Sequence, residues 1–277
     1  MSAVIDAHQH FWHYNPVRDA WITDDMKVIQ RNFLPEDLAP VLAANQVDGC
    51  VAVQADQSEE ETFFLLKAAE EHDFVKGVVG WVDLRAANIA ARLSHFAAEK
   101  KLKGFRHIVQ AEPDNMFLLR EDFCNGVKAL AVHDFTYDIL VYPTQLPAVE
   151  KFVEKFPEQR LVIDHMAKPY FKTGDIKDWA ASMRKIAQSP HVHCKVSGMV
   201  TEADWQQWQP ADFKPFLDVV LEAFGPERMM FGSDWPVCLV AGDYGRVKAL
   251  LTDYISALTD AEQHGIMGEN AVNFYKL

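Results

Sequence analysis

The sequence predicts an α/β protein with a (β/α)8 barrel fold, the TIM barrel, formed as one domain by residues 1–277. Eight short runs of β-branched and aliphatic residues occur along the chain, and helical patterns alternate with them, which is typical of parallel βαβ units. The length of 277 residues suits one such barrel, and no linker or low-complexity tract divides it. We therefore expect one barrel rather than two smaller domains.

The eight predicted strands are mostly continuous apolar runs, as expected for strands that are buried on both faces of a parallel sheet. They span residues 4–8, 49–54, 77–82, 103–108, 137–142, 161–165, 192–197 and 229–233. In a closed barrel the carboxyl ends of all strands meet at one mouth. Residues far apart in the sequence can therefore become neighbours there.

The predicted helices have apolar residues at helical spacing opposite a charged face. They span residues 59–72, 89–100, 122–132, 146–156, 179–187, 213–224, 243–258 and 260–275. Ser58 and Thr259 occupy N-cap positions with a glutamate three residues later, which is the capping-box pattern. The Gly225-Pro226 pair predicts the end of the helix before it.

Two of the predicted connections are long. Residues 11–34 follow the first strand, and residues 106–120 follow the fourth. Barrels place substrate contacts in the loops at the carboxyl ends of their strands. We therefore expect both loops to border a binding site.

The composition argues against several classes of partner. The chain has 27 basic and 40 acidic residues, a formal charge of −13, and no basic block, so we expect no nucleic-acid binding. No apolar run approaches the roughly 20 residues of a membrane span. The four cysteines lack metal-site spacing, and strand-like residues begin almost at once. We therefore expect free thiols, no signal peptide and a cytoplasmic location.

Three strand ends carry residues that could assemble one metal or acid–base site. The first strand run ends at His8 and His10, the sixth at His165 and the last at Asp234. Side chains two apart on a strand point to the same side, so both imidazoles of the first pair can face the mouth. Imidazoles with a carboxylate suit a cation such as Zn²⁺. Without a metal they could still provide acid–base groups, and buried structural histidines are the alternative.

A second His-x-His pair, His191 and His193, is a control on that pattern. With 11 histidines in 277 residues, about 0.4 such pairs are expected by chance. This pair lies at the amino end of the seventh strand, where barrels place residues that serve stability. We predict a structural role for it, so position rather than spacing must identify the site.

Other polar and aromatic residues are expected around the mouth. The polar candidates, which would suit an oxygen-rich substrate and its oxyanion, are Arg106, His107, Lys168, Lys195 and Ser197. The aromatic candidates, which could pack on a sugar ring, are Trp12, Trp21 and Trp235. Glu202 is a candidate second carboxylate for proton transfer. The alternatives are that the cations form ordinary ion pairs, that the aromatic residues pack within their loops, and that Glu202 begins a helix.

These motifs together resemble the amidohydrolase superfamily in its amidohydrolase 2 branch. More narrowly, the chain is similar to sugar-lactone lactonases of the L-fucono-, L-galactono- and L-rhamnonolactonase kind, which are related to 2-pyrone-4,6-dicarboxylate lactonase. The matching stretches are residues 5–12 (IDAHQHFW), 104–107 (GFRH), 164–169 (DHMAKP), 194–198 (CKVSG) and 230–236 (MFGSDWP). They run from the first strand to the last.

The resemblance implies hydrolysis of a sugar lactone to its aldonic acid, as in the catabolism of L-fucose-, L-rhamnose- or L-galactose-type sugars. It implies a reaction centre, and a metal site if one is present, made of His8, His10, His165 and Asp234, with Asp234 as the base on water. The expected substrate contacts are Arg106, His107, Lys168, Lys195, Trp21, Tyr142 and Trp235.

The resemblance also limits the cofactor. Tyr142 ends the fifth strand, where two-metal members carry another ligand, so at most one divalent metal such as Zn²⁺ is implied. Members of this group work without a required metal. Ala167 stands where the group usually has glycine.

Two other functions stay open from the sequence. A metal-dependent decarboxylase of the same branch would keep the three histidines and Asp234 but would need tightly bound metal. A non-catalytic sugar-acid binding protein is the third hypothesis, and the intact acid–base set argues against it. The sequence leaves the lactone, its ring size and the oligomeric state open, a homodimer included.

Overall fold

The computed structural model describes residues 2–277 and contains eight parallel strands that pair in chain order. The strands are β1 Ile5–Gln9, β2 Gly49–Val53, β3 Val75–Gly80, β4 Leu102–His107, β5 Thr136–Ile139, β6 Leu161–Ile163, β7 Val192–Val196 and β8 Met229–Phe231. Backbone hydrogen bonds from Asp234 N to His8 O (2.8 Å) and from His10 N to Trp235 O (2.7 Å) join the two ends of the sheet. The predicted (β/α)8 barrel is confirmed.

Helices surround the sheet in the predicted alternation. They are α1 Pro35–Ala44, α2 Glu59–Glu71, α3 Ile89–Phe96, α4 Glu121–Leu130, α5 Leu146–Lys155, α6 Lys177–Ile186, α7 Pro210–Phe224, α8 Tyr244–Ile255, α9 Asp260–His264 and α10 Asn270–Tyr275. The predicted helix 260–275 is interrupted by a π-helical turn at Gly265–Glu269. Gly225 ends α7 with φ 71°, as the sequence predicts.

The two predicted capping boxes have different outcomes. Thr259 forms a complete box with Glu262, as predicted. Ser58 accepts from Glu61 N, but the Glu61 carboxylate accepts from the backbone of Ala55 and Asp56 instead of returning to Ser58. The Ser58 box is therefore half formed, because the Glu61 carboxylate is hydrogen-bonded to the backbone of the loop after β2.

Two apolar layers lie on either side of the sheet. The larger one packs the outward side chains of the strands against the helices. The smaller one fills the barrel interior, where Ile5, Val79 and Met230 meet Phe274 and Tyr275 of α10. The C-terminal helix α10 therefore closes the amino end of the barrel and leaves the carboxyl end as the mouth.

The four cysteines are all free and buried, in agreement with the sequence prediction. Among residues 2–277, no helix is long and apolar enough to cross a membrane.

Candidate active site

The mouth of the barrel contains a left-handed turn directly after β6. His165, Met166, Ala167 and Lys168 have φ of 53°, 52°, 56° and 49°. Such a backbone costs roughly 1–2 kcal/mol per residue that is not glycine, so surrounding contacts must maintain it. Trp179 Nε1 donates to the Met166 carbonyl at 2.8 Å, and Lys168 N donates to the His165 carbonyl at 2.8 Å. Strain of this kind clusters at functional sites, and here it presents His165 and Lys168 to the mouth.

The fully buried carboxylate of Asp6 ties β1 to the turn after β8. It accepts hydrogen bonds from Ser233 N (2.9 Å), the Ser233 hydroxyl (2.5 Å), the Tyr244 hydroxyl (3.0 Å) and His8 N (3.1 Å). Burial raises the pKa of Asp6 to about 6, although these donors oppose the shift. Asp234, which directly follows Ser233, has φ 57°, a conformation that aspartate tolerates better than most residues. Asp6 therefore fixes the turn that carries Asp234 beside His8.

The four residues predicted for the reaction centre, His8, His10, His165 and Asp234, meet at the mouth. His8 Nε2 and His10 Nε2 are 3.2 Å apart. Asp234 Oδ1 lies 3.3 Å from His10 Nε2 and 3.9 Å from His165 Nε2. His165 Nδ1 lies 2.8 Å from the Ser197 hydroxyl, which orients its ring. The structure brings these residues together, and their chemical roles stay a prediction.

The hydrogen bonds of His10 show that this group suits a cation. His10 Nδ1 faces the Val53 carbonyl at 2.7 Å, so it carries the proton and leaves Nε2 as an acceptor. That acceptor faces Asp234 Oδ1, a second acceptor, at 3.3 Å. Two acceptors repel at this distance unless a proton or a metal ion lies between them.

The spacing of the same atoms also suits a metal. Two ligand atoms on one tetrahedral Zn²⁺, each about 2.0–2.1 Å from the ion, are roughly 3.3–3.4 Å apart. The ligand atoms of His8, His10 and Asp234 all lie within 4.8 Å of one another. A second possible grouping, His8 with Asp164 and His165, shares His8 with the first. His8, His10 and Asp234 therefore fit one divalent cation, while His165, the fourth predicted ligand, falls in the second grouping.

Beneath this group lies a buried layer of charges. Lys195 Nζ is 2.5 Å from Asp138 Oδ2 and 3.0 Å from Asp164 Oδ1, and Arg106 Nη1 is 3.0 Å from Asp164 Oδ2. Burial by itself would raise the pKa of Asp164, but Lys195, His8 and Arg106 lower it well below its ordinary value. Burial lowers the pKa of His8, although Asp164 opposes the shift. Burial therefore favours the neutral form of His8, and the neighbouring cations favour the ionised form of Asp164.

The structure places Lys195 and Arg106, both predicted as substrate contacts, below His8. Their side chains are 0% and 3% exposed. Lys195 Nζ lies 3.2 Å from His8 Nδ1, and Arg106 Nη1 lies 3.2 Å from His8 Nε2. Arg106 also donates to the Gln54 carbonyl. Both cations are buried against His8, and their predicted contact with a substrate stays a prediction.

Four other candidates lie on the mouth loops. Lys168 Nζ is 2.9 Å from Glu202 Oε1 and 5.4 Å from the centre of the Tyr142 ring. Burial would lower the pKa of Lys168, but Glu202 and Tyr142 outweigh it and raise that pKa. Tyr142 and Trp21 are 39% and 44% exposed. These residues have the exposure and charge that a substrate site requires.

The structure does not bring His107 and Trp235 to the centre of the site. His107 Nε2 lies 2.7 Å from Glu112 Oε1, and its ring stacks on Phe117 with centroids 4.9 Å apart. Trp235 is 2% exposed and meets the Phe33 ring edge-on at 5.2 Å. Both side chains pack the walls of the mouth.

Three buried acids in this region, Asp6, Asp138 and Asp164, are absent from the predicted site. Each lies within or directly after an apolar strand run. A carboxylate is costly to bury without partners, so an acid in a strand run is a signal that a polar network surrounds it. That signal could have pointed to the charges below His8.

Comparison with known proteins shows the family to which the chain belongs. The amidohydrolase family model (Amidohydro_2) matches residues 5–277. An L-fucono-1,5-lactonase of Burkholderia multivorans is 42% identical over 99% of this chain and 96% of its own. Another L-fucono-1,5-lactonase, from Burkholderia ambifaria, is 36% identical over 100% of this chain and 97% of its own.

A solved structure has the same fold and carries a metal. It is an amidohydrolase from Burkholderia multivorans with bound zinc, and it superposes with a TM-score of 0.95 at 40% identity, covering 100% of both chains. The fold and the site describe a barrel hydrolase whose mouth brings three histidines together with an aspartate. The chain belongs to the amidohydrolase family.

Proposed function

We propose that this protein hydrolyses a sugar lactone of the L-fucono-1,5-lactone type to its aldonic acid. The observation that carries the proposal is the Asp234 carboxylate within the group of His8, His10 and His165, at the base of a mouth with a cation and exposed aromatic rings. The 42% and 36% identity to L-fucono-1,5-lactonases over the full chain supports this substrate class.

Asp234 is the proposed base. Its Oδ1 lies within the histidine group, 3.3 Å from His10 Nε2, so a water bound against both atoms on the mouth side has an acceptor to receive its proton. The water oxygen attacks the lactone carbonyl while its proton passes to Asp234. When the tetrahedral species collapses, the ring ester bond breaks and Asp234 returns the proton to the ring oxygen. The product is the open aldonic acid.

The histidines hold the water and the carbonyl in place. His10 is fixed by the Val53 carbonyl and His165 by the Ser197 hydroxyl, so neither ring needs to reorient during the reaction. A divalent cation bound by His8, His10 and Asp234 would polarise the carbonyl and lower the pKa of water.

Lys168 is proposed to bind the substrate oxygens. It is a cation at the mouth, and the strained turn after β6 fixes its backbone. Its partner Glu202 is 2.9 Å away and can accept a sugar hydroxyl while Lys168 donates to the developing oxyanion. Tyr142 and Trp21 offer exposed ring faces for the sugar.

We further propose that residues 1–277 act as one domain in the cytoplasm, without nucleic-acid or membrane partners. The formal charge of −13 supports the absence of nucleic acid, because phosphate repels an acidic surface. A screen of stereoisomeric aldonolactones, read by acid release with a pH indicator, identifies the lactone.

Replacement of Asp234 by asparagine tests the proposed base. Asp234→Asn keeps the size of the side chain and removes the proton acceptor, so kcat should fall by about 10²–10⁴ on the best lactone. Asp218→Asn removes a carboxylate on α7, far from the mouth, and should leave kcat unchanged. Full turnover by Asp234→Asn on every lactone that the wild type hydrolyses would show that the base is another group.

A further inference from the structure

Trp81 directly follows β3 at the carboxyl end of the barrel. The last residue of β3, Gly80, pairs with Phe105 of β4. The residues that follow, Trp81 and Arg106, therefore lie side by side. Arg106 Nη1 is 3.2 Å from His8 Nε2. Trp81 is thus next to the strand end that contacts the candidate active site.

The Trp81 side chain turns toward the mouth without joining the apolar core. Residues two apart on a strand point to the same side, and Val79 lies in the interior layer of the barrel. Trp81 is half-buried and belongs to neither apolar layer. Among residues 2–277 no aromatic ring packs on its indole, whereas Trp179 and Trp208 each pack against a phenylalanine. Such an indole has an apolar face to offer to the C–H groups of a sugar ring.

Two hydrogen bonds in the wall of the mouth hold the edge of this indole. Trp81 Nε1 donates to His107 Nδ1 at 3.4 Å, and His107 Nε2 lies 2.7 Å from Glu112 Oε1. The carboxylate is an acceptor, so Nε2 carries the proton and Nδ1 can accept from the indole. The His107 ring also stacks on Phe117. Burial lowers the pKa of His107, although Glu112 opposes the shift, and only the neutral ring has an acceptor at Nδ1.

We propose that Trp81 is a substrate-binding residue whose indole packs on the sugar ring of the lactone, and that His107 is a positioning residue that holds the indole in place. The inference rests on the proposed function, because it takes a sugar lactone as the substrate. An indole that is held before the substrate arrives loses less conformational freedom on binding, so the hydrogen bond contributes to affinity. His107 then acts through Trp81 rather than by its own contact with the substrate.

Trp81→Leu tests the contact, because leucine keeps an apolar side chain and removes the aromatic face. We expect KM for L-fucono-1,5-lactone to rise by about 10-fold, with kcat within about twofold, since aromatic packing typically contributes this much. Phe63→Leu is the matched control. The Phe63 ring is 42% exposed on α2, where it packs on Phe96, and its removal should leave KM unchanged.

A binding measurement reports the same contact without turnover. In ¹H–¹⁵N spectra of the ¹⁵N-tryptophan-labelled protein, the indole signal that Trp81→Leu lacks belongs to Trp81. L-fuconate, the open acid of the same lactone, should shift this signal. The signal of Trp208, assigned with Trp208→Phe, should stay in place, because that indole is buried and donates to the Ala241 carbonyl at 2.8 Å.

A double-mutant cycle tests the positioning role of His107. His107→Phe keeps a ring against Phe117 and removes the acceptor of the indole, so KM should rise by about fivefold. In the Trp81→Leu background the same change should leave KM within about twofold, because no indole remains to be held.

The outcomes separate the two proposals. If the wild type hydrolyses the lactone but L-fuconate does not move the Trp81 signal, or Trp81→Leu has an unchanged KM, the contact is overturned and the proposed function stands. If His107→Phe raises KM equally in both backgrounds, His107 acts independently and its positioning role is wrong. If the wild type hydrolyses no sugar lactone, the proposed function fails, and the L-fuconate spectra still decide whether Trp81 binds a sugar acid.

Discussion

The two ends of the barrel each carry a His-x-His pair, and only their surroundings differ. At the mouth, His8 and His10 face Asp164 and Asp234 within 3.3 Å. At the amino end, the His193 ring packs against Phe274 with centroids 4.8 Å apart. The same spacing therefore yields a group of converging donor atoms at one end and apolar packing at the other.

A lowered pKa does not distinguish His8 from His193, although His8 and His10 are buried and His191 and His193 are half-buried. Burial and then Arg228 lower the pKa of His193 to about 4. Burial also lowers the pKa of His8 well below its ordinary value. The difference lies in what faces the ring nitrogens. At the mouth, carboxylates face His8 and His10. Among residues 2–277, no carboxylate contacts the ring nitrogens of His191 and His193. A shifted pKa alone is thus weak evidence for a functional site, and converging partners are stronger.

Zinc binding should separate the two pairs most strongly. We expect the wild type to bind one Zn²⁺, and a hundredfold excess over Kd to stabilise it by about 2.7 kcal/mol. His10→Gln should lose both the bound zinc and the stabilisation, because it removes the nitrogen nearest Asp234. His193→Gln should retain both. Thermal unfolding with and without zinc, together with metal analysis, measures these effects.

If zinc raises the unfolding temperature of His10→Gln as much as that of the wild type, the metal binds elsewhere and the two pairs do not differ in zinc binding.

The pH dependence of stability should depend on His193. Its pKa is about 4 in the folded protein against 6.5 when free, so between these values the unfolded chain binds a proton that the folded protein does not. Stability is therefore lost as pH falls from 6.5 to 4, by at most about 3 kcal/mol from this group. His193→Gln should reduce the loss, measured by urea unfolding at pH 7 and pH 4.5.

His95→Gln is the control, because it replaces an exposed histidine on α3, and it should leave the pH effect unchanged. His8 and His165 also have lowered pKa values and act in the same direction, so part of the acid sensitivity should persist in His193→Gln. If His193→Gln loses as much stability between pH 7 and pH 4.5 as the wild type does, the amino-end pair does not contribute to the pH dependence.

Two glycines with positive φ, one at each end of the barrel, test the same comparison of the two ends with a smaller expected effect. Gly198 (φ 64°) lies beside the mouth, and a Cβ there would lie 2.6 Å from His165 Nδ1. Gly225 (φ 71°) lies at the amino end, where the nearest atoms to a Cβ would be the side-chain carboxylate of Glu227 at 2.6 Å. Alanine at either position should cost roughly 1–2 kcal/mol of unfolding free energy.

Only Gly198→Ala should also lower kcat, because it displaces His165 from Asp234. Denaturant unfolding and lactone kinetics on both variants make the comparison. Equal kcat in the two variants would show that the position of His165 is not critical.

Much of the fold was predictable from local patterns. The eight strand runs lie at the predicted places, because strands buried on both faces need continuous apolar residues. The Ser58 capping box was predicted half correctly: Ser58 caps α2, but the Glu61 carboxylate accepts from the backbone of Ala55 and Asp56, and the spacing alone does not reveal the shape of that loop. The left-handed turn at residues 165–168 was not predictable either, because tertiary contacts such as Trp179 Nε1 to the Met166 carbonyl maintain a backbone that local preference disfavours.

The sequence by itself determined the barrel and the convergence of His8, His10, His165 and Asp234, because strand order and strand ends follow from hydrophobic pattern. Only the tertiary structure decided which polar residues face the mouth. Lys195 and Arg106 lie below His8, His107 and Trp235 pack in the walls, and Tyr275 reaches Asp138 from the other end of the barrel. The physical reason is that a buried charge must find its partner in three dimensions, and its position along the chain does not specify that partner.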